Sequence, residues 1–210
     1  MNSGEKPLKD QHAQRELVSH CHVWSGKVFG LDEDQVRLSA GAAPVVRQYL
    51  HHGGAVAIVA MRGEAGVEEV LLERQYRHPV RAELWEIPAG LLDVPGEDPL
   101  RAAQRELREE ADLIAHQWDV LVDAFSSPGA SCESVRLFLA RDVESCDQPF
   151  ERQDEEADLE YQWVNLDLVY QWIMAGWLHN PSTVMGCLAA WSARATGFST
   201  LRDAGAPWWR

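Results

Sequence analysis

Residues 90–113 read GLLDVPGEDPLRAAQRELREEADL, and this stretch decides the fold. Asp98 followed by Pro99 is a helix start: the aspartate accepts from the orphan N–H groups of the first turn, and proline brings no N–H there. The helix is expected over Pro99–Ala111. At about 100° per residue, Leu100, Ala103, Leu107 and Ala111 share one narrow stripe, which is the face to be buried. Glu106 and Glu110 stack along one edge of it, and Glu109 lies further towards solvent. Like charges at these spacings repel by about 0.2–0.5 kcal/mol per close pair. Ion pairs with Arg101, Arg105 and Arg108 on a solvated helix face would relieve this. So would a hard divalent cation such as Mg2+, which takes oxygen ligands and keeps waters that phosphate oxygens can replace. No histidine or cysteine stands near enough in sequence to favour zinc.

The whole segment carries more than the three glutamates. Gly90 to Glu97, seven further residues, then Arg105-Glu106-Leu107-Arg108-Glu109-Glu110-Ala111-Asp112-Leu113 resembles the Nudix box. That pattern is a glycine, a glutamate, seven residues and Arg-Glu-apolar-any-Glu-Glu-any-Gly-apolar. Here the Gly90-to-Glu97 spacing is one residue longer, an insertion confined to the loop before the helix. Asp112 stands where the family has glycine, at a helix end where a left-handed residue is common. The runs GGAVA at 53–57, RQYRHP at 74–79, LWEIPAG at 84–90, SPG at 127–129, ESVR at 133–136 and NPSTV at 180–184 are similar to the bacterial ADP-ribose pyrophosphatase branch of the Nudix hydrolases. The likeness covers roughly residues 45–192.

The resemblance implies an α/β fold, a Nudix-type α/β/α sandwich with a mixed sheet, preceded by an N-terminal β-strand extension. It implies Mg2+-dependent hydrolysis of ADP-ribose to AMP and ribose 5-phosphate, with Mn2+ able to substitute. Glu106, Glu109, Glu110 and the carbonyl of Ala89 would hold the metal, with Arg105 and Glu109 among the catalytic groups. Arg77 would contact the pyrophosphate and Arg47 the nucleotide, although each could equally be a surface arginine. Pro128 falls near a proline that marks substrate preference in that branch. The branch also implies a homodimer that exchanges N-terminal strands, with Arg47, Trp24 and Phe29 the candidates to cross. Attack on a pyrophosphate needs a deprotonated water, and metal-bound glutamates retain little basicity. A carboxylate from elsewhere is therefore attractive, and Glu133 matches the branch's base, in a loop that Gly129 and Ser131 leave free to close. Cys132 stands beside it where an acidic residue is common. Glu86 could end a strand or touch the ribose. Trp24 and Phe29 could stack on adenine, while aromatic residues in strands more often pack in a core.

Along the chain, residues 1–20 read as a polar flexible leader, 21–52 as the strand extension, 53–200 as the hydrolase domain and 201–210 as a C-terminal tail. Alternation over Val23–Leu38 suggests two strands around a turn at Leu31–Asp34, with a third at Val45–Leu50. Further strands are expected at Ala55–Met61, Val67–Tyr76, Leu84–Ile87, Trp118–Phe125, Val135–Ala140 and Leu159–Val164, and helices near Leu166–Ala175 and Pro181–Arg194. The acidic run Glu151–Glu160 reads as a solvated loop.

Composition narrows the class. At 210 residues and 46% hydrophobic, one sizeable core forms without metal or disulfide. Thirty-three acidic against nineteen basic residues leave a net charge of −14, which argues against nucleic-acid binding. No stretch approaches the ~20 apolar residues of a membrane helix, and the polar start has no signal-peptide core. Four cysteines without a Cys-x-x-Cys pair suit a reducing cytoplasm. Other readings stay open: a hydrolase of a nucleotide sugar or dinucleoside polyphosphate, an interaction protein with an acidic face, or a non-catalytic nucleotide sensor. A sensor is expected to lose box glutamates, and all three are present.

Overall fold

The structure, a computed structural model, describes residues 8–147 and 159–210. The acidic stretch from residue 151 to 158 lies outside them. Two compact units divide the chain, Met1–His52 and Gly53–Arg210.

The N-terminal unit is one antiparallel sheet of β1 (Glu16–Ser25), β2 (Phe29–Arg37) and β3 (Val45–His52), in that order. Strand β1 begins at Glu16, so residues 16–20, grouped by the sequence with the leader, are extended and paired. The turn also differs from expectation. It falls at Gly26–Val28, where the Gly26 N–H donates to the Phe29 carbonyl at 2.8 Å, and Leu31–Asp34 lies inside β2. The cause is electrostatic: acidic residues that look like a turn find partners across the sheet. Asp32 is buried, with His22 Nδ1 at 2.6 Å from one oxygen and His51 Nδ1 at 3.2 Å from the other. Asp34 meets His20 Nδ1 at 2.7 Å and accepts from the Tyr49 hydroxyl at 3.1 Å.

The second unit is built on a mixed sheet. Its strands are β4 (Ala55–Arg62), β5 (Glu69–Arg77), β6 (Ala82–Glu86), β7 (Ala89–Leu91), β8 (Leu113–Phe125), β9 (Ser134–Ser145), β10 (Glu160–Asn165) and β11 (Arg202–Asp203). The order is β10-β5-β4-β9-β8-β11, with β6 on β5 and β7 on β4. Only the β4–β9 pair is parallel among these. Helices α1 (Pro99–Ala111), α2 (Leu166–Met174) and α3 (Pro181–Arg194) complete the unit. Alternation along β4 makes the sandwich, since successive side chains point to opposite faces. Val56, Ile58 and Ala60 join Ala102, Ala103 and Leu107 of α1. Ala57, Val59 and Met61 join Leu166 and Val169 of α2 and Cys187 and Ala190 of α3. Both long helices begin where local caps put them: Asp98 accepts from the N–H groups of Leu100 and Arg101, and Asn180 from that of Thr183. No helix among the described residues is long and apolar enough to cross a membrane.

Residues 201–210, set apart as a tail by the sequence, are packed. Strand β11 pairs with β8. Arg136, only 3% exposed, forks onto Asp123 at 2.7 and 2.9 Å and donates to the carbonyls of Ala206 (2.7 Å) and Pro207 (3.1 Å). Burial pushes the Asp123 carboxyl up, but the Arg136 and Arg202 guanidinium groups outweigh it and hold it below the usual carboxylate range. Removing one member of such a pair leaves a buried charge uncompensated. Asp123→Ala is therefore expected to cost about 3 kcal/mol in urea unfolding at neutral pH. Because the folded-state pKa is depressed, this contribution is present above the unfolded carboxylate pKa and is lost as pH falls through the folded value. The gap between parent and variant should accordingly close in acid. A gap that is absent at pH 7, or that widens in acid, contradicts this role.

Candidate active site

Two backbone positions in β7 set the site. An added Cβ at Gly90 would lie 1.9 Å from the carboxyl carbon of Glu106, so the glutamate occupies the space a side chain would need. One residue earlier, the Ala89 N–H donates to Glu110 Oε2 at 2.9 Å. Glu110 is consequently buried at 7% exposure, on the inner side of α1 rather than at the edge of its apolar stripe, while Leu100 and Ala111 are only half-buried. The loop before β7 is tied down by the Ile58 N–H donating to the Pro88 carbonyl at 2.8 Å, and by the Ile87 N–H donating to Thr183 Oγ1 at 3.0 Å. At the far end of α1, Asp112 itself takes the left-handed conformation (φ 52°), and its N–H donates to the Arg108 and Leu107 carbonyls. The departure from glycine there leaves the helix end intact.

One guanidinium organises the box carboxylates. Arg105 donates to both oxygens of Glu97 (3.2 and 3.1 Å), to Glu106 at 2.7 Å and to Glu109 at 3.1 Å. The Glu97 hydrogen bonds first, then Glu106 and Glu109, raise the Arg105 pKa further against the cost of burial. Burial pushes the Glu106 carboxyl up, although Arg105 pulls against it. Arg101 and Arg108, expected to share this task, make no ion pair among the described residues. Glu97 emerges as a structural partner that the box spacing marks without revealing its role.

A second charged group adjoins the first. Arg77 forks onto Glu86 through Nε (3.0 Å) and Nη2 (2.7 Å), and Glu86 is 2% exposed. The Glu86 hydrogen bonds raise the Arg77 pKa against the cost of burial, and Glu86 lies three residues before Ala89, which brings this group towards the box. Arg77 Nη1 makes no hydrogen bond among the described residues, so part of its donor fork is available to an anion. Glu73 is the register partner of Glu86 and equally buried. The sequence reading passed over it; a glutamate directly after the apolar run Val70–Leu72 was the available signal.

The remaining candidates lie as follows. Glu133 immediately precedes β9, where its carbonyl accepts from the Ser126 N–H at 3.1 Å and closes the β8–β9 loop. The register brings Val135 and Leu91 to the same β4 residue, Ala55, so this loop and β7 share one end of the sheet. In the N-terminal unit, Trp24 and Phe29 are exposed with ring centroids 5.7 Å apart, and the exposed Arg47 donates to the carbonyl of Val46.

The donors on offer around Gly90 are all oxygens, which suits a hard divalent cation and not a thiolate-seeking one. No group of three or more His, Cys, Asp and Glu side chains among the described residues is gathered to hold a metal ion. Arg105 supplies positive charge between Glu97, Glu106 and Glu109.

Comparison with known proteins follows the same lines. The family profile described as NUDIX domain matches residues 51–182. The chain is 42% identical over 193 residues to an ADP-ribose pyrophosphatase of Mycobacterium tuberculosis, covering 92% of this chain and 90% of the relative. It is 32% identical to an ADP-ribose pyrophosphatase of Bacillus subtilis over 143 residues, 68% of this chain and 75% of the relative. A crystal structure of an ADP compounds hydrolase superposes with a TM-score of 0.65 at 18% identity, covering 90% of this chain and 99% of that one, which is a likeness of fold.

The contact between Gly90 and Glu106 is directly testable. Gly90→Ala should displace Glu106 and weaken Mn2+ binding, followed by electron paramagnetic resonance titration, by about 10–100-fold. Gly129→Ala, whose Cβ meets nothing within 4 Å, should leave it unchanged. Equal affinity in both variants would show that Glu106 takes no part in metal binding.

Proposed function

The chain belongs to the Nudix family, and on that premise we propose that it hydrolyses the pyrophosphate bond of ADP-ribose to AMP and ribose 5-phosphate. The reaction depends on a divalent cation, Mg2+ foremost, with Mn2+ able to replace it. The observation that carries this reading is the convergence of Glu97, Glu106 and Glu109 on one guanidinium beside Gly90, next to an arginine with donors to spare. Glu106, Glu109, Glu110 and the Ala89 carbonyl would hold the cation. When bound, it offsets charge on the phosphate oxygens and on the leaving phosphate.

The chain's own groups do the rest. Arg77, oriented by buried Glu86, binds the diphosphate through its remaining donors. Arg105 fixes the rotamers of Glu106 and Glu109. Glu133 takes a proton from the attacking water as its oxygen bonds to phosphorus and the bridging P–O bond breaks. A homodimer belongs to the same reading: β1 exposes all ten of its residues, Leu17, Val18 and Val23 among them, and a second copy is the cover that we assign. Arg47, Trp24 and Phe29 are the groups it would carry towards the partner's substrate. A cytoplasmic location fits the sparse cysteines.

Phosphatase-coupled phosphate release tests the activity across ADP-ribose, a nucleotide sugar and a dinucleoside polyphosphate, with Mg2+ or with excess chelator. ADP-ribose should be cleaved fastest, and chelator should abolish turnover. Faster cleavage of another member of the panel would reassign the substrate, and no cleavage of any would remove the enzymatic reading. Glu133→Gln should lower kcat by about 10²–10⁴-fold with little change in KM. If only KM moves, Glu133 binds substrate and the base lies elsewhere. Light scattering at assay concentration should give a dimer, and a fully active monomer contradicts shared sites.

A further inference from the structure

The outer face of α1 borders a cavity of about 670 Å3 that touches the box through Arg105 and Glu109, while Arg101, Gln104 and Arg108 in its lining have no part in the proposed chemistry. Arg101, Arg105 and Arg108 line it from the helix, and Leu113, Ala115 and Trp118 from β8. Residues 101, 104, 105 and 108 follow the i, i+3, i+4, i+7 spacing of one helix face, and all four line the cavity. Arg101 and Arg108 are exposed, and neither guanidinium has an ion pair or hydrogen bond among the described residues. Two arginines without ion pairs on one helix face, about two turns apart, are unexpected in a chain of net charge −14, where carboxylates are abundant. The acidic lining residue, Glu109, is already taken by Arg105 at 3.1 Å.

Across from this cationic rim the floor is apolar. Leu113 is buried, and Trp118 is half-exposed with its indole N–H donating to the Ala115 carbonyl at 2.9 Å, so the ring is fixed in place. A planar guanidinium fork matches phosphate oxygens, a half-exposed indole takes a flat apolar ring, and the Gln104 amide offers both a donor and an acceptor to a ring edge. The volume falls within the range of small-molecule sites. We propose that this cavity is a second, non-catalytic binding site for a nucleoside monophosphate, with the phosphate on Arg101 and Arg108 and the base against Trp118. Its occupant also meets Arg105, the residue that holds Glu97, Glu106 and Glu109. Any coupling to turnover through Arg105 rests on the proposed function; the binding itself does not.

Calorimetric titration of the full chain with AMP, in chelator, tests the site without turnover. The parent should bind saturably, and adenosine or inorganic phosphate alone should bind more weakly than AMP. Arg101→Glu with Arg108→Glu should weaken AMP at least tenfold, and the milder Arg101→Gln with Arg108→Gln severalfold, both at unchanged Tm. Arg62→Gln, at a surface arginine outside this cavity, should leave AMP binding within twofold of the parent. The proposal is overturned if the double variants bind AMP as the parent does, if Arg62→Gln weakens binding as much as they do, or if the parent binds no AMP at millimolar concentration. Loss of AMP binding in the double variants of a protein that cleaves no ADP-ribose would sink the proposed function and leave this site standing.

Discussion

The backbone of Gly90 and the carboxylate of Glu106 occupy adjoining space that admits no other side chain between them. With the neighbouring Ala89 N–H bound to Glu110, two successive positions of a three-residue strand hold two glutamates one helical turn apart. That fixes the roll of α1 about its axis. Ala102, Ala103 and Leu107 then face the sheet, and Arg105 and Glu109 are left on the open side. Strand β7 is itself held by three residue pairs to β4, the strand from which both cores are built. Packing and chemistry therefore share one constraint: a shift that relieved Glu106 would withdraw Leu107 from the core.

Charge is arranged in the same economical way. Like-charged glutamates on one turn repel, and an arginine shared among three carboxylates compensates better than separate surface pairs, which are worth about 0–1 kcal/mol each. Arg77, paired with buried Glu86, extends the alternation of sign to the β5–β6 pair. Such an array favours positive charge at its centre, and a divalent cation would add to what Arg105 provides.

Local signals were legible in the sequence and distant ones were not. The bounds of α1 and α3 follow from Asp98-Pro99 and Asn180-Pro181, each a cap and a proline adjacent in sequence. The role proposed for the box glutamates comes from the resemblance of the whole segment 90–113, since their spacing alone also fits a solvated, ion-paired helix face. The turn at Gly26–Val28 was missed because Asp32 and Asp34 look solvated until His22, His51 and His20 arrive from other strands. The packing of the C-terminus rests on Arg136, which reaches Ala206 and Pro207 about seventy residues away, and no local pattern reports that. The inward position of Glu110 was likewise hidden, since it requires the Ala89 N–H as a donor.

A crystal structure of the protein with Mn2+ and a non-hydrolysable ADP-ribose analogue, phased for anomalous signal, tests the central claim most directly. Manganese should appear in contact with Glu106, Glu109 and Glu110 next to the Ala89 carbonyl, with the diphosphate reaching Arg77. Manganese bound elsewhere, out of contact with Glu106, Glu109 and Glu110, would contradict the account.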